Sequence, residues 1–173
     1  MEKNMFKGGL KVLVTLAMLV ALSSVFGKFM SVDITPYLRI GFENLPIILS
    51  GIIFGPLAGF VTGVASDLLG CLLKGFPVNF IITLASGVIG FAAAILRHFI
   101  KGVSFMKIWL ITIIPHFIST IILRTVGLCV LYGNPWQIIF LRAPFYIVWG
   151  TLEAFLIYTF YRKNIMKQLG AKY

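Results

Sequence analysis

Six apolar stretches, separated by a few polar, basic or turn-forming residues, take up most of this chain. In a bilayer every backbone N–H and C=O must find its partner within the protein, so apolar stretches of this kind become helices. A helix that crosses the hydrocarbon needs about 20 residues. The stretches run at about 10–29, 44–54, 56–73, 78–96, 108–131 and 136–161, and the second is short for a full crossing. Composition agrees: the chain is 60% hydrophobic, where soluble domains hold about 45–50%. The expectation is an all-α integral membrane protein. It is a compact, multi-pass bundle of six transmembrane helices in a single domain over 1–173, with N- and C-termini cytoplasmic.

The net charge is +10. In a soluble domain that excess points to nucleic acid. Here the basic residues lie largely between and beyond the apolar stretches, which suits the lipid bilayer and its anionic headgroups instead. With both termini inside, the cytoplasmic side holds Lys3, Lys7, Lys11, Arg97, Lys101, Lys107, Arg162, Lys163, Lys167 and Lys172, ten of the fifteen basic residues. The other five, Lys28, Arg39, Lys74, Arg124 and Arg142, fall on the wrong side of that rule. The lysines before the first stretch resemble a signal peptide. No small-x-small cleavage site leads to a polar mature domain, so the stretch reads as a retained helix. Cys71 and Cys129 sit in apolar runs without metal-ligand spacing, which predicts free buried thiols and no metal.

Residues 41–73 carry the strongest local pattern. Gly55, Gly59 and Gly63 recur every four residues and Asp67 takes the next step. Small residues at that spacing let a second helix approach closely. A lone carboxylate in hydrocarbon is costly, so Asp67 is expected to face the bundle interior. Stretches two and three are thus expected to wall a polar pocket.

The misplaced cations converge on one depth. Arg39 lies in the first outer loop, Lys74 in the second outer turn, and Arg124 and Arg142 about two helical turns below the outer ends of stretches five and six. Charges at that depth point to an anionic ligand arriving from outside. The competing reading has Arg39 and Lys74 snorkelling to headgroups and Arg124 pairing with Asp67. Arg142, Tyr146, Trp149 and Glu153 share one helical face, as do His116, Thr120 and Arg124. A cation with two aromatics suits a flat heteroaromatic molecule with an anionic end. Ser31–Arg39 reads as an extended loop and Pro115 as a kink in stretch five. Ala17 and Ala21 form AxxxA, with Ser24 continuing the stripe. No catalytic motif and no phosphate-binding loop appears, so uphill transport would draw on a partner or an ion gradient. A small membrane enzyme using Asp67, His116 or Glu153, and a channel or carrier, are the other classes open.

The run RIGFENLPIILSGIIFGPLAGFVTGVASDLLG (Arg39–Gly70), the size, the six stretches and AxxxA resemble the substrate-binding S components of energy-coupling factor (ECF) vitamin transporters. Within them the chain is most similar to the folate-specific group, with other vitamins such as pantothenate as alternatives. The resemblance implies a non-enzymatic subunit in the cell membrane that captures its vitamin from outside. It implies docking, through Ala17 and Ala21, on a transmembrane coupling protein with two cytoplasmic ATPase subunits. The subunit then has no cofactor of its own, since ATP is used by its partners. The first outer loop, about 31–42, would act with the loop after stretch three as a lid. Folate is a pterin joined through an aromatic spacer to a glutamate. The outer cations suit its carboxylates. Asp67, Asn44 or Asn79, with Tyr146 and Trp149, are candidates to receive the pterin, and Phe42 completes the candidate site.

Overall fold

The computed structural model of the chain describes residues 9–35 and 38–163. Lys3, Lys7, Lys167, Lys172 and Pro36 lie outside them. The described chain is helical apart from one hairpin. Helix α1 (Gly9–Lys28) leads into strands β1 (Val32–Thr35) and β2 (Leu38–Ile40). Then come α2 (Asn44–Phe54), α3 (Pro56–Lys74) and α4 (Phe80–Phe99). A continuous rod follows, made of α5 (Phe105–Pro115), a π-helical stretch (His116–Leu123) and α6 (Arg124–Tyr132). Helix α7 (Ile138–Arg162) closes the described chain. Counting the rod once, the described residues form six helices, five of them long and apolar enough to cross a membrane.

Helix α2 is the exception. Its 11 residues rise about 16 Å, roughly half of a hydrocarbon core. It can be short because it is enclosed: every residue from Asn44 to Gly51 is buried. Its Leu45, Ile47, Ile48 and Leu49 form one core with Ile89 of α4, Ile108 and Ile111 of α5 and Ile157 of α7.

Gly55 is not part of a helical stripe. It is the elbow between α2 and α3, with φ +102°, a conformation that L side chains rarely adopt. The stripe begins at Gly59. A Cβ on Gly59 would meet the Gly90 backbone of α4, and one on Gly63 would meet the Ser86 carbonyl. Gly51 of α2 also abuts Gly90, so three helices cross with almost no side chain between them. Asp67 continues this face, and Thr83 of α4 donates to it at 2.6 Å. The blocking atoms are backbone and cannot rotate away, so Gly63→Ala is expected to destabilise by about 1–3 kcal/mol or more. Thermal unfolding in detergent measures it; an unchanged melting temperature would show that the helices can part freely.

The first loop is better ordered than an extended loop. β1 and β2 pair antiparallel with Asp33 opposite Arg39, and Arg39 Nε donates to Asp33 Oδ1 at 2.6 Å. That bond holds the Asp33 carboxyl below its ordinary range, with Arg39, Lys74 and Lys28 adding attraction. Pro115 is followed directly by the π-helical stretch. Proline withholds an N–H and crowds the preceding turn, and π segments recur at functional sites. Gly127 of α6 faces Ile81 and Ile82 of α4, while Gly150 of α7 faces His116.

Helix α1 is the least enclosed span. Ser23 donates to the Glu43 carbonyl at 2.7 Å, and Ser24 to that of Ser66 at 3.1 Å. Ala17 and Ala21 are exposed. Ser24 does not extend their open face: it is buried against α3, because the helix leans onto the bundle only towards its C-terminal end. Both cysteines are free and buried.

Candidate functional site

The hairpin sits over one end of the bundle and is tied to α7. Tyr146 Oη donates to the Arg39 carbonyl at 2.8 Å, and Trp149 Nε1 donates to the Gly41 carbonyl at 2.9 Å. Phe42 packs on Trp149 with ring centroids 4.7 Å apart. Ile40, Ile121 and Tyr146 form a small apolar cluster beneath β2. The polar tips of the two aromatics therefore hold the loop, while their rings pack under it with Ile40, Phe42 and Ile121.

The cations separate into different environments. Arg39 is paired with Asp33. Lys74 is exposed, 5.9 Å from the Phe29 ring, and Phe76 lies between Lys28 and Arg39 at 5.7 and 5.9 Å. Arg124 does not pair with Asp67 as the competing reading had it. Its Nη1 donates to Glu43, and its Nη2 to Ser86 Oγ at 2.9 Å. Glu43 precedes α2 and reaches Arg124 because Gly27 of α1 leaves room for its carboxylate. Arg142 is only 2% exposed and has no carboxylate within ion-pair distance among the described residues.

A polar cleft of ≈ 10 Å³, about the space one water needs, opens among Lys28, Glu43, Ser66, Asp67, Ser86 and Arg124. Stretches two and three contribute Ile47, Ser66 and Asp67 to it, and the rest of its wall comes from α1, Glu43, Ser86 of α4 and Arg124. A vitamin does not fit in it. Asn79 is committed elsewhere: its Oδ1 caps α4 by accepting from Ile81 and Ile82, and its Nδ2 donates to the Gly127 carbonyl at 3.4 Å. Asn44 is buried with its Oδ1 unpartnered.

Deeper along α7, the buried face that carries Arg142 and Tyr146 also carries Glu153. Glu153 and His116 are both fully buried and meet at 2.7 Å. Thr120 Oγ1 lies 3.5 Å from the other ring nitrogen of His116. Arg124 does not join them, since it is turned to Glu43. Among the described residues no group of three His, Cys, Asp or Glu could hold a metal.

Residues 9–166 match the family of the S component of the ECF-type riboflavin transporter. The chain belongs to the S components of ECF-type transporters. The folate transporter FolT of Clostridium novyi (strain NT) is 30% identical over 129 residues, 75% of this S component and 74% of the relative. The crystal structure of FolT bound with folic acid matches with a TM-score of 0.75 at 25% identity, covering 95% of this chain and 99% of that one. The S component of a bacterial ECF transporter matches with a TM-score of 0.67 at 25% identity, over 88% and 94%. These relatives are transporter subunits and not enzymes, and this S component is a multi-pass membrane protein.

Glu43 is the residue that sequence reasoning missed in this S component. It stands within Arg39–Gly70, immediately before the largely apolar helix α2, and the chain has only five acids. An acid at the mouth of an apolar stretch was the available signal.

Proposed function

We propose that this S component binds folate beneath the hairpin and delivers it inward. The observation that carries the reading is the charge balance at this end of the bundle. Lys28, Arg39, Lys74, Arg124 and Arg142 stand against Asp33, Glu43 and Asp67, so five cations face three carboxylates. The excess of two matches the two carboxylates of folate. Riboflavin, in the description of the matching family, has no ionised group and would leave the excess uncompensated. The likeness to folic-acid-bound FolT supports the same choice. Pantothenate, with one carboxylate, is the runner-up on charge.

In this reading the rings of Phe42, Tyr146 and Trp149 take the flat part of the ligand. Asn44, with its free carbonyl oxygen, and Asp67 accept from the pterin N–H groups, and the cations take the glutamate. Asn79 shapes the site by fixing the start of α4. Lys74 and Arg39 attract the anion at the mouth. The hairpin end is extracellular and both termini are cytoplasmic in the cell membrane, which puts Lys11, Arg97, Lys101, Lys107, Arg162 and Lys163 inside with the basic residues of the two ends.

Delivery needs partners. Ala17 and Ala21 offer a flat, exposed strip on the least enclosed helix for a transmembrane coupling protein, with two cytoplasmic ATPase subunits using ATP. The S component needs no cofactor of its own. Ala17→Leu/Ala21→Leu is expected to reduce folate uptake by cells at least tenfold and to leave binding to the purified protein within about twofold. Loss of binding as well would place the strip in the ligand site. Mass spectrometry of the small molecule that co-purifies with the protein tests the ligand. Folate or a reduced folate supports the reading, and riboflavin overturns it.

A further inference from the structure

Arg142 is the outlier among the buried charges. It lies in the second turn of α7; among the described residues its Nη2 donates to the Thr120 carbonyl at 3.2 Å, and the Tyr146 hydroxyl is its other polar neighbour. The guanidinium carbon stands 5.3 Å from the Tyr146 ring. Nε and Nη1 are buried and have no hydrogen-bond partner among the described residues. Buried charges are ordinarily paired, because taking a lone ion out of water is costly. Arg124 also has an unpartnered Nε. Its two terminal nitrogens, however, are spent on Glu43 and Ser86.

We infer that Arg142 is the residue that receives the anionic end of the ligand and sets the preference for an anionic ligand over a neutral one, whereas Arg124 is a positioning residue neutralised by Glu43. Three features of the site support this division. Arg142 has donors to spare in a dry place, and a carboxylate is the group that fills a planar guanidinium best. It lies next to Tyr146, whose hydroxyl carries the hairpin backbone, so a ligand seated on Arg142 is under the lid-like strand. The Thr120 carbonyl that holds it belongs to the π-helical stretch, so the guanidinium is anchored at Nη2 while Nε and Nη1 are buried without a hydrogen bond among the described residues. Arg124 instead links α2, α4 and α6 through Glu43 and Ser86. Its loss should loosen the site as a whole and not one end of the ligand.

The identity of the anion rests on the folate reading; the existence of an unpaired cation awaiting one does not. The test uses the full-length protein in detergent. Wild type, Arg142→Gln, Arg142→Lys and Arg124→Gln are titrated with folate, with p-aminobenzoylglutamate as the anionic fragment and with 6-hydroxymethylpterin as the neutral one. Arg142→Gln is expected to weaken folate and the anionic fragment by about 100-fold or more, as for breaking a buried charged contact, and the neutral pterin far less. Arg142→Lys, which keeps the charge without the planar fork, recovers part of the loss. Arg124→Gln weakens folate and neutral pterin by similar factors. Equal losses for both ligands in Arg142→Gln, or a selective loss of the anionic ones in Arg124→Gln, overturns the inference while leaving folate as ligand.

A ligand-free readout separates the two ideas. An unpaired buried cation strains the empty protein, so Arg142→Met is expected to melt at a higher temperature than wild type. A lower melting temperature shows that the charge is structurally paired and overturns the inference. If wild type binds none of the three probes, the folate reading fails. The melting comparison then decides the inference by itself.

Discussion

Glu43→Ala destabilises the folded protein by about 3–5 kcal/mol, the range for breaking one side of a buried ion pair, and it costs more than Arg124→Ala. Both side chains are mostly buried, at 20% and 13% exposure, so either charge left alone is only partly rehydrated. The asymmetry follows from the surroundings. Removing the acid leaves Arg124 among Lys28, Arg39 and Arg142 and raises the local excess of cations from two to three. Removing Arg124 leaves Glu43 still attracted by Lys28 and Arg39, and lowers the excess to one. Equilibrium unfolding of the two variants in one detergent gives the comparison. A larger loss for Arg124→Ala would mean that the local field is not net positive. The folate argument would lose its footing with it.

His116→Ala is the second large effect, about 1–3 kcal/mol or more, because it removes the hydrogen-bond partner of the buried Glu153 carboxyl. Glu153 Oε1 has no partner already, and Oε2 has only the imidazole. Both side chains are within 1% of complete burial, so the carboxyl has no bulk water beside it. Replacing the pair together, His116→Leu with Glu153→Met, is expected to recover most of that loss, because apolar side chains of similar volume often match or exceed a buried ion pair. A double-mutant cycle read by thermal unfolding measures the coupling. Additive losses in the cycle would show that the two groups do not depend on one another.

Much of the fold could be read from hydropathy, and the reason is physical. In hydrocarbon the backbone has no alternative to helix, so length and apolarity alone locate the spans. The Gly59–Gly63–Asp67 face was legible for a similar reason: a four-residue spacing has one packing meaning in a membrane helix. Gly55 breaks that pattern because spacing alone does not distinguish a packing glycine from a turning one. The hairpin escaped notice because two short strands leave little periodicity to detect, and its specific signal was the Asp33–Arg39 pair. The π-helical stretch leaves no sequence signal beyond Pro115.

The site was legible by composition and not by pairing. That cations collect at one end followed from their violation of the charge rule. Which acid meets which cation depends on contacts between residues far apart in the chain. Arg124 and Glu43 are separated by 81 positions, and Asp67 seemed the natural partner only because its helical stripe was visible. Asn79 could have been recognised as a helix cap, since asparagine before an apolar run is a common start signal.

The most direct test of the account is a parallel equilibrium titration of the purified S component with folate and with riboflavin. Saturable one-to-one binding of folate, at least about 100-fold or 2.7 kcal/mol tighter than riboflavin, is the predicted result. Tight riboflavin binding with no measurable folate binding would contradict it, and would mean that the two surplus positive charges at the hairpin end serve some purpose other than holding a vitamin.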